Sequence, residues 1–156
     1  MSIKPIRLKS LLFWVGTALL AGGIGALLGG STEKYADIAN PPLSPPSIVF
    51  PIVWSILYVL MGIGAYILSG EKNPLSATAL KFYWAQLFFN MLWSLFFFRL
   101  EAFTFAAFWL AIILLLTSVL VFLSYKINKK AFFCFLPYLI WLCFALYLNI
   151  GVAILN

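Results

Sequence analysis

Five stretches of this chain, approximately 8–28, 47–69, 80–98, 103–124 and 131–155, are each about as long as a membrane-spanning helix and almost free of charge. The hydrocarbon core of a bilayer takes roughly 20 apolar residues of helix to cross. Inside it no water satisfies a backbone N–H or C=O, so a spanning segment is either a helix or a strand of a closed barrel. Barrel strands alternate apolar and polar residues at every second position. These runs do not alternate. The expected fold is therefore an all-α membrane protein, a five-transmembrane-helix bundle formed as a single domain over 1–156.

Composition agrees. Of the 156 residues, 65% are hydrophobic and only 9% are charged, whereas soluble domains carry about 25% charged residues. A soluble chain this short leaves too much surface exposed to hide so many apolar side chains. The first run follows Lys4 and Arg7, as the core of a signal peptide would. Further runs of full spanning length come after it, so it is expected to be a retained helix.

The net charge of +6 could point to nucleic acid, but the basic residues flank the apolar runs and fit membrane orientation instead. With five spans, the N-terminus and the second and fourth connectors share a side. That side holds Lys4, Arg7, Lys9, Lys72, Lys81, Lys126, Lys129 and Lys130, against Lys34 and Arg99 on the other. The bias places the N-terminus in the cytoplasm, with the first connector and the C-terminus on the opposite face.

Ordinary hydrolytic or metal chemistry has little to work with here. There is no histidine, and the four acids, Glu33, Asp37, Glu71 and Glu101, all lie in connectors. No metal site and no required cofactor are expected. Cys134 and Cys143 are nine residues apart in one apolar run, so a helix directs them to opposite faces.

Two features leave alternatives open. The connector 29–46 holds Pro41, Pro42, Pro45 and Pro46. Proline fixes its own φ and restricts its neighbour, which suits either a rigid lid over the bundle or a stiff spacer. The first helix carries two ladders of small residues, Ala18–Gly22–Ala26–Gly30 and Ala21–Gly25–Gly29. Such spacing allows close helix approach, within the bundle or across a dimer interface.

At helical periodicity, three runs align aromatic rings with small or hydrogen-bonding residues. They are Pro51, Trp54, Tyr58, Gly62 and Ala65; Tyr83, Gln86, Asn90, Trp93 and Phe97; and Tyr138, Trp141, Ala145 and Asn149. Amides at membrane depth face the protein interior. They serve either as glue between helices, at about 0.6 kcal/mol per bond, or as the orienting groups of an aromatic-walled pocket. A pocket of this kind suits a large, planar, mostly apolar ligand.

The stretches PPLSPPSIVFPIVWSILYVLMGIGAYI from Pro41, YWAQLFFNMLWSLFF from Tyr83 and PYLIWLCFALYLN from Pro137 resemble the translocator protein / tryptophan-rich sensory protein (TspO/MBR) family. The resemblance implies a five-helix bundle, a homodimer, and a ligand pocket between helices two, three and five beneath the first loop. It implies porphyrins such as protoporphyrin IX as ligands, and a bacterial member in the cytoplasmic membrane. Carried over by motif, the pocket would use Tyr35, Pro45, Trp54, Tyr58, Gln86, Asn90, Trp93, Trp141 and Ala145. Leu43 and Lys34 stand where the family often has aromatic residues. No Lys or Arg follows Tyr147, so the sterol motif of animal members is missing there.

Three functions follow as expectations. The first is a membrane receptor or carrier for porphyrin-like ligands. The second is light-dependent porphyrin breakdown, with Trp54 and Trp141 as the residues involved and no conventional catalytic group. The third is a sensory or assembly protein acting through a protein partner.

Overall fold

The computed structural model describes residues 7–30 and 38–156. It contains five long helices: α1 (Leu8–Gly29), α2 (Val49–Ser69), α3 (Leu75–Ser94), α4 (Phe103–Ile127) and α5 (Lys129–Leu155). A π-helical turn, Leu95–Arg99, continues α3. Among the described residues there is no strand. Four helices, α1, α2, α4 and α5, are long and apolar enough to cross a membrane, and the chain is an integral membrane protein. Helix α3 has the length but is less apolar, because Lys81, Gln86 and Asn90 interrupt it.

The ends of the helices are set by local chemistry that an apolar count does not register. Helix α3 starts at Leu75, ahead of its apolar stretch. Asn73 Oδ1 accepts from the Leu75 N–H at 2.9 Å, satisfying a donor that the first turn leaves open. Helix α5 starts at Lys129 because Asn128 caps it, its Oδ1 accepting from the Lys130 N–H at 2.8 Å. The connector expected over 125–130 is thereby reduced to a sharp break at Asn128, whose backbone is extended (φ −156°, ψ 119°). Asn128 Nδ2 also donates to Glu71 Oε1 at 2.9 Å, joining this corner to the connector after α2.

The helices form a ring in the order α1, α2, α5, α4, α3, each packed against the next and α3 closing on α1. Large side chains fill the middle: Met61, Tyr83, Phe135, Tyr138 and Leu142 are all fully buried. The outside is apolar as well, with Leu27, Phe108, Leu115 and Ile154 exposed. An apolar exterior of this kind matches lipid as the solvent.

Glycine brings helix backbones together at particular positions. A Cβ on Gly62 would lie 2.5 Å from Val15 Cα, so α1 and α2 meet backbone to backbone there. Gly25 and Gly29 face Met91 O and Ser94 O of α3, a Cβ on either falling 3.1 Å from the carbonyl. One of the two small-residue ladders therefore packs inside the bundle.

Residues 38–48 are strapped to α5. Asn156 Nδ2 donates to Ala39 O at 2.9 Å, and the Ala39 N–H donates to Asn156 Oδ1 at 3.1 Å. Tyr147 Oη donates to Pro42 O at 2.9 Å. Pro41 lies against Gly151, where a Cβ would come within 2.5 Å of the proline ring. Leu43 sits at the turn in the left-handed region, φ 67°.

Candidate functional site

The site lies toward the end of the bundle that holds the strap. Trp54, one turn into α2, is its centre. Its ring meets Tyr58 at 5.7 Å, Trp93 at 6.4 Å and, edge-on, Tyr138 at 6.1 Å between centroids. The side chains of Trp54 and Tyr58 are four apart on one helix and so share a face. Trp93 is stacked on Phe97 at 5.1 Å. Aromatic pairs at these separations contribute about 0.5–1.5 kcal/mol each beyond the area they bury.

Hydrogen bonds hold the polar side chains in place. Asn90 Nδ2 donates to Tyr138 Oη at 3.0 Å, linking α3 to α5. Trp93 Nε1 donates to Asn149 Oδ1 at 3.0 Å, and Asn149 Nδ2 donates to Phe103 O at 3.0 Å. One amide thus ties α3, α5 and the start of α4 together. Gln86 is fully buried, with a single weak contact from Nε2 to Met61 Sδ at 3.7 Å. Among the described residues its Oε1 has no partner, and neither does the buried indole N–H of Trp141.

Two voids flank this aromatic cluster. The larger, about 130 Å³, lies between α1, α2 and α3, with Ala26, Tyr58, Asn90 and Ser94 on its walls. The smaller, about 20 Å³, lies between α2, the π turn and α5, beside Phe97, Trp141, Ala145 and Asn149. Phe50, Trp54, Trp93 and Phe98 border both voids and form a partition between them. Among the described residues, neither void has a charged side chain in its wall.

The residues singled out in the sequence fall into groups. Trp54, Tyr58, Asn90 and Trp93 line the larger void. Trp141 and Ala145 line the smaller one, reached across the partition. Gln86 borders neither, and Pro45 is half-buried in the strap without reaching either void. Tyr35 and Lys34 lie outside the described residues.

Sequence reasoning missed some of the wall. Phe50 precedes Trp54 by four residues, so its helical spacing was a usable signal. Phe98 gave none, because the π turn shifts it out of the α-helical arc of Trp93. The α1 residues Gly22, Ala26 and Gly30 were recognised as a small-residue ladder, but they border the larger void.

Comparison with known proteins adds an independent line. A model of the TspO/MBR family matches residues 14–155. The chain is 35% identical over 140 residues to protein CrtK of Rhodobacter capsulatus, covering 87% of this chain and 86% of that one. It is 35% identical over 132 residues to a tryptophan-rich sensory protein of Cereibacter sphaeroides, covering 85% and 82%. It is also similar to the translocator protein of Bos taurus, 32% identical over 148 residues, covering 86% and 85%.

Proposed function

The chain belongs to the TspO/MBR family, and from that premise we propose that it is a membrane receptor or carrier for porphyrin-like or other large planar apolar ligands. The observation that carries this is the Trp54 cluster. Four aromatic rings, Phe50, Trp54, Trp93 and Phe98, stand between two voids. Flat rings along a void are walls suited to a flat ligand, and amides fixed beside them give it an orientation.

Ligand sites of drug size are commonly about 300–1,000 Å³, so a tetrapyrrole needs more room than 130 Å³. On this reading the partition rings turn aside and join the two voids. The site then spans helices α2, α3 and α5, with α1 as its outer wall. The names of the relatives, a sensory protein and a translocator protein, accord with a small-molecule role in the membrane.

The same reading includes five spans, with α3 crossing despite its polar residues: Gln86 and Asn90 are buried inside the bundle, and the exposed Lys81 lies in the first two turns, near the membrane surface. It places the N-terminus in the cytoplasm of a bacterial cell and pairs two copies as a homodimer.

The test is titration of protoporphyrin IX into the purified protein in lipid nanodiscs. Binding is followed by the porphyrin absorption band, so that removing a tryptophan does not remove the reporter. Saturable binding is expected, weakened about tenfold or more in Trp54→Phe with Trp141→Phe. Equal affinity in the double variant would exclude this site.

A further inference from the structure

Among the described residues the walls of both voids carry no charge, which poses a problem for the ligand class proposed above. Protoporphyrin-type ligands carry carboxylates along one edge. Burying an ionised carboxylate without a partner is very costly. A ring seated among Trp54, Trp93 and Phe98 must therefore leave its acidic edge at the membrane surface, where water solvates it and a nearby cation can add a pairing partner.

Among the described residues, that end of the bundle offers one cation. Arg7, Lys9, Lys72, Lys81, Lys126, Lys129 and Lys130 all belong to the other end, where α1, α3 and α5 begin. Arg99 alone stands at the end where α3 finishes. Membrane orientation does not account for it, since it opposes the charge bias of the chain. It is exposed, and among the described residues its guanidinium has no hydrogen-bond or ion-pair partner.

Its place in the π turn matters. Phe98, directly before it, borders both voids and meets Trp93 edge-on at 5.9 Å. One of the four rings of the partition is thus the immediate chain neighbour of the charged residue. An arginine at a membrane surface lays its methylenes along apolar neighbours and keeps its head in water. Its planar fork matches a carboxylate in bidentate geometry.

Resting on the porphyrin-binding reading, we propose that Arg99 selects planar ligands bearing carboxylates, pairing with the acidic edge at the surface while the ring lies against Trp54, Trp93 and Phe98. Ligand class is then set by two separate features: flatness by the aromatic partition and acidity by Arg99.

The experiment compares protoporphyrin IX with its dimethyl ester, which keeps the ring and removes both charges. Both are titrated into nanodiscs of phosphatidylcholine, which adds no net headgroup charge. The wild-type protein is expected to bind the acid more tightly than the ester. Arg99→Gln should weaken binding of the acid by about tenfold or more and leave the ester unchanged. Arg99→Lys should recover part of the loss. An unchanged thermal transition in both variants shows that folding is not the cause. Equal loss for acid and ester, or no loss for either, overturns the role of Arg99 while leaving the site intact. Failure of the wild-type protein to bind either compound overturns the porphyrin reading itself, and this proposal with it.

Discussion

Trp93 donates its indole N–H to Asn149 Oδ1 at 3.0 Å, and the same amide donates onward to Phe103 O, so one side chain of α5 serves two other helices. Asn149→Ala removes both bonds and leaves the Trp93 donor buried. Interhelical hydrogen bonds in membranes average about 0.6 kcal/mol and reach about 1.7. Losing two should cost roughly 1–3 kcal/mol, read as a lower unfolding midpoint in detergent. An unchanged midpoint would show that water replaces the amide.

Gln86 tests whether a buried amide is always structural. Among the described residues its only bond is to a thioether, a weak acceptor, and its oxygen is unpaired. Replacing an unsatisfied polar group by an apolar one of similar shape is close to neutral or stabilising. Gln86→Leu is therefore expected to keep or raise the unfolding midpoint, in contrast to Asn149→Ala. A marked loss of stability would show that the oxygen has a partner, such as water, in the folded protein.

Glycines separate by their surroundings. A methyl group on Gly62 meets the Val15 Cα at 2.5 Å and the Trp14 carbonyl at 2.9 Å, both backbone atoms that cannot turn away. Gly62→Ala should force α1 and α2 apart and cost about 1–3 kcal/mol. Around Gly23 there is nothing within 4 Å. Gly23→Ala should be neutral or gain up to about 1 kcal/mol through backbone entropy. The pair of midpoints checks the α1–α2 contact directly.

The strap makes a kinetic prediction. Tyr147→Phe removes the bond to Pro42 O, and Asn156→Ala removes two bonds to Ala39. Combined, they should raise hydrogen exchange in residues 38–48 several-fold while leaving exchange in the buried turns of α2 unchanged. Exchange that rises equally in both regions would mean that the contacts support the whole bundle and not the strap alone.

Orientation is checked by reporters. With five spans, a reporter fused after Asn156 and one fused before Met1 should lie on opposite sides, the latter in the cytoplasm. Finding both on one side would mean an even number of crossings, with α3, the least apolar of the five helices, the first to test.

Much of the molecule was legible in the sequence, for physical reasons. Lipid demands long apolar helices, so α1, α2, α4 and α5 announce themselves by length and composition alone. The family was legible because the stretches from Pro41, Tyr83 and Pro137 resemble its members in order and spacing; helical periodicity showed only that aromatic and amide residues line up around Trp54, Asn90 and Trp141. Helix boundaries were less so, because Asn73 and Asn128 start helices through single side-chain bonds that hydropathy cannot register. Gln86 and Asn90 look alike in sequence, four residues apart on one face. Only the partners across the bundle, Met61 for one and Tyr138 for the other, separate their roles.

The π turn at Leu95–Arg99 has a consequence for how such a chain diversifies. An α-helix advances 100° per residue, and a turn with one residue too many resets that count for everything after it. The Leu100 N–H reaches back five residues, to Leu95 O at 3.0 Å. Deleting one residue between Trp93 and Arg99 would restore the regular winding without altering the type of any remaining side chain. It would swing a different ring toward the voids and a different residue toward the membrane surface. The spectrum of compounds accepted at this end is then encoded in helical phase as well as in residue identity, and a single insertion or deletion is a larger step than any substitution.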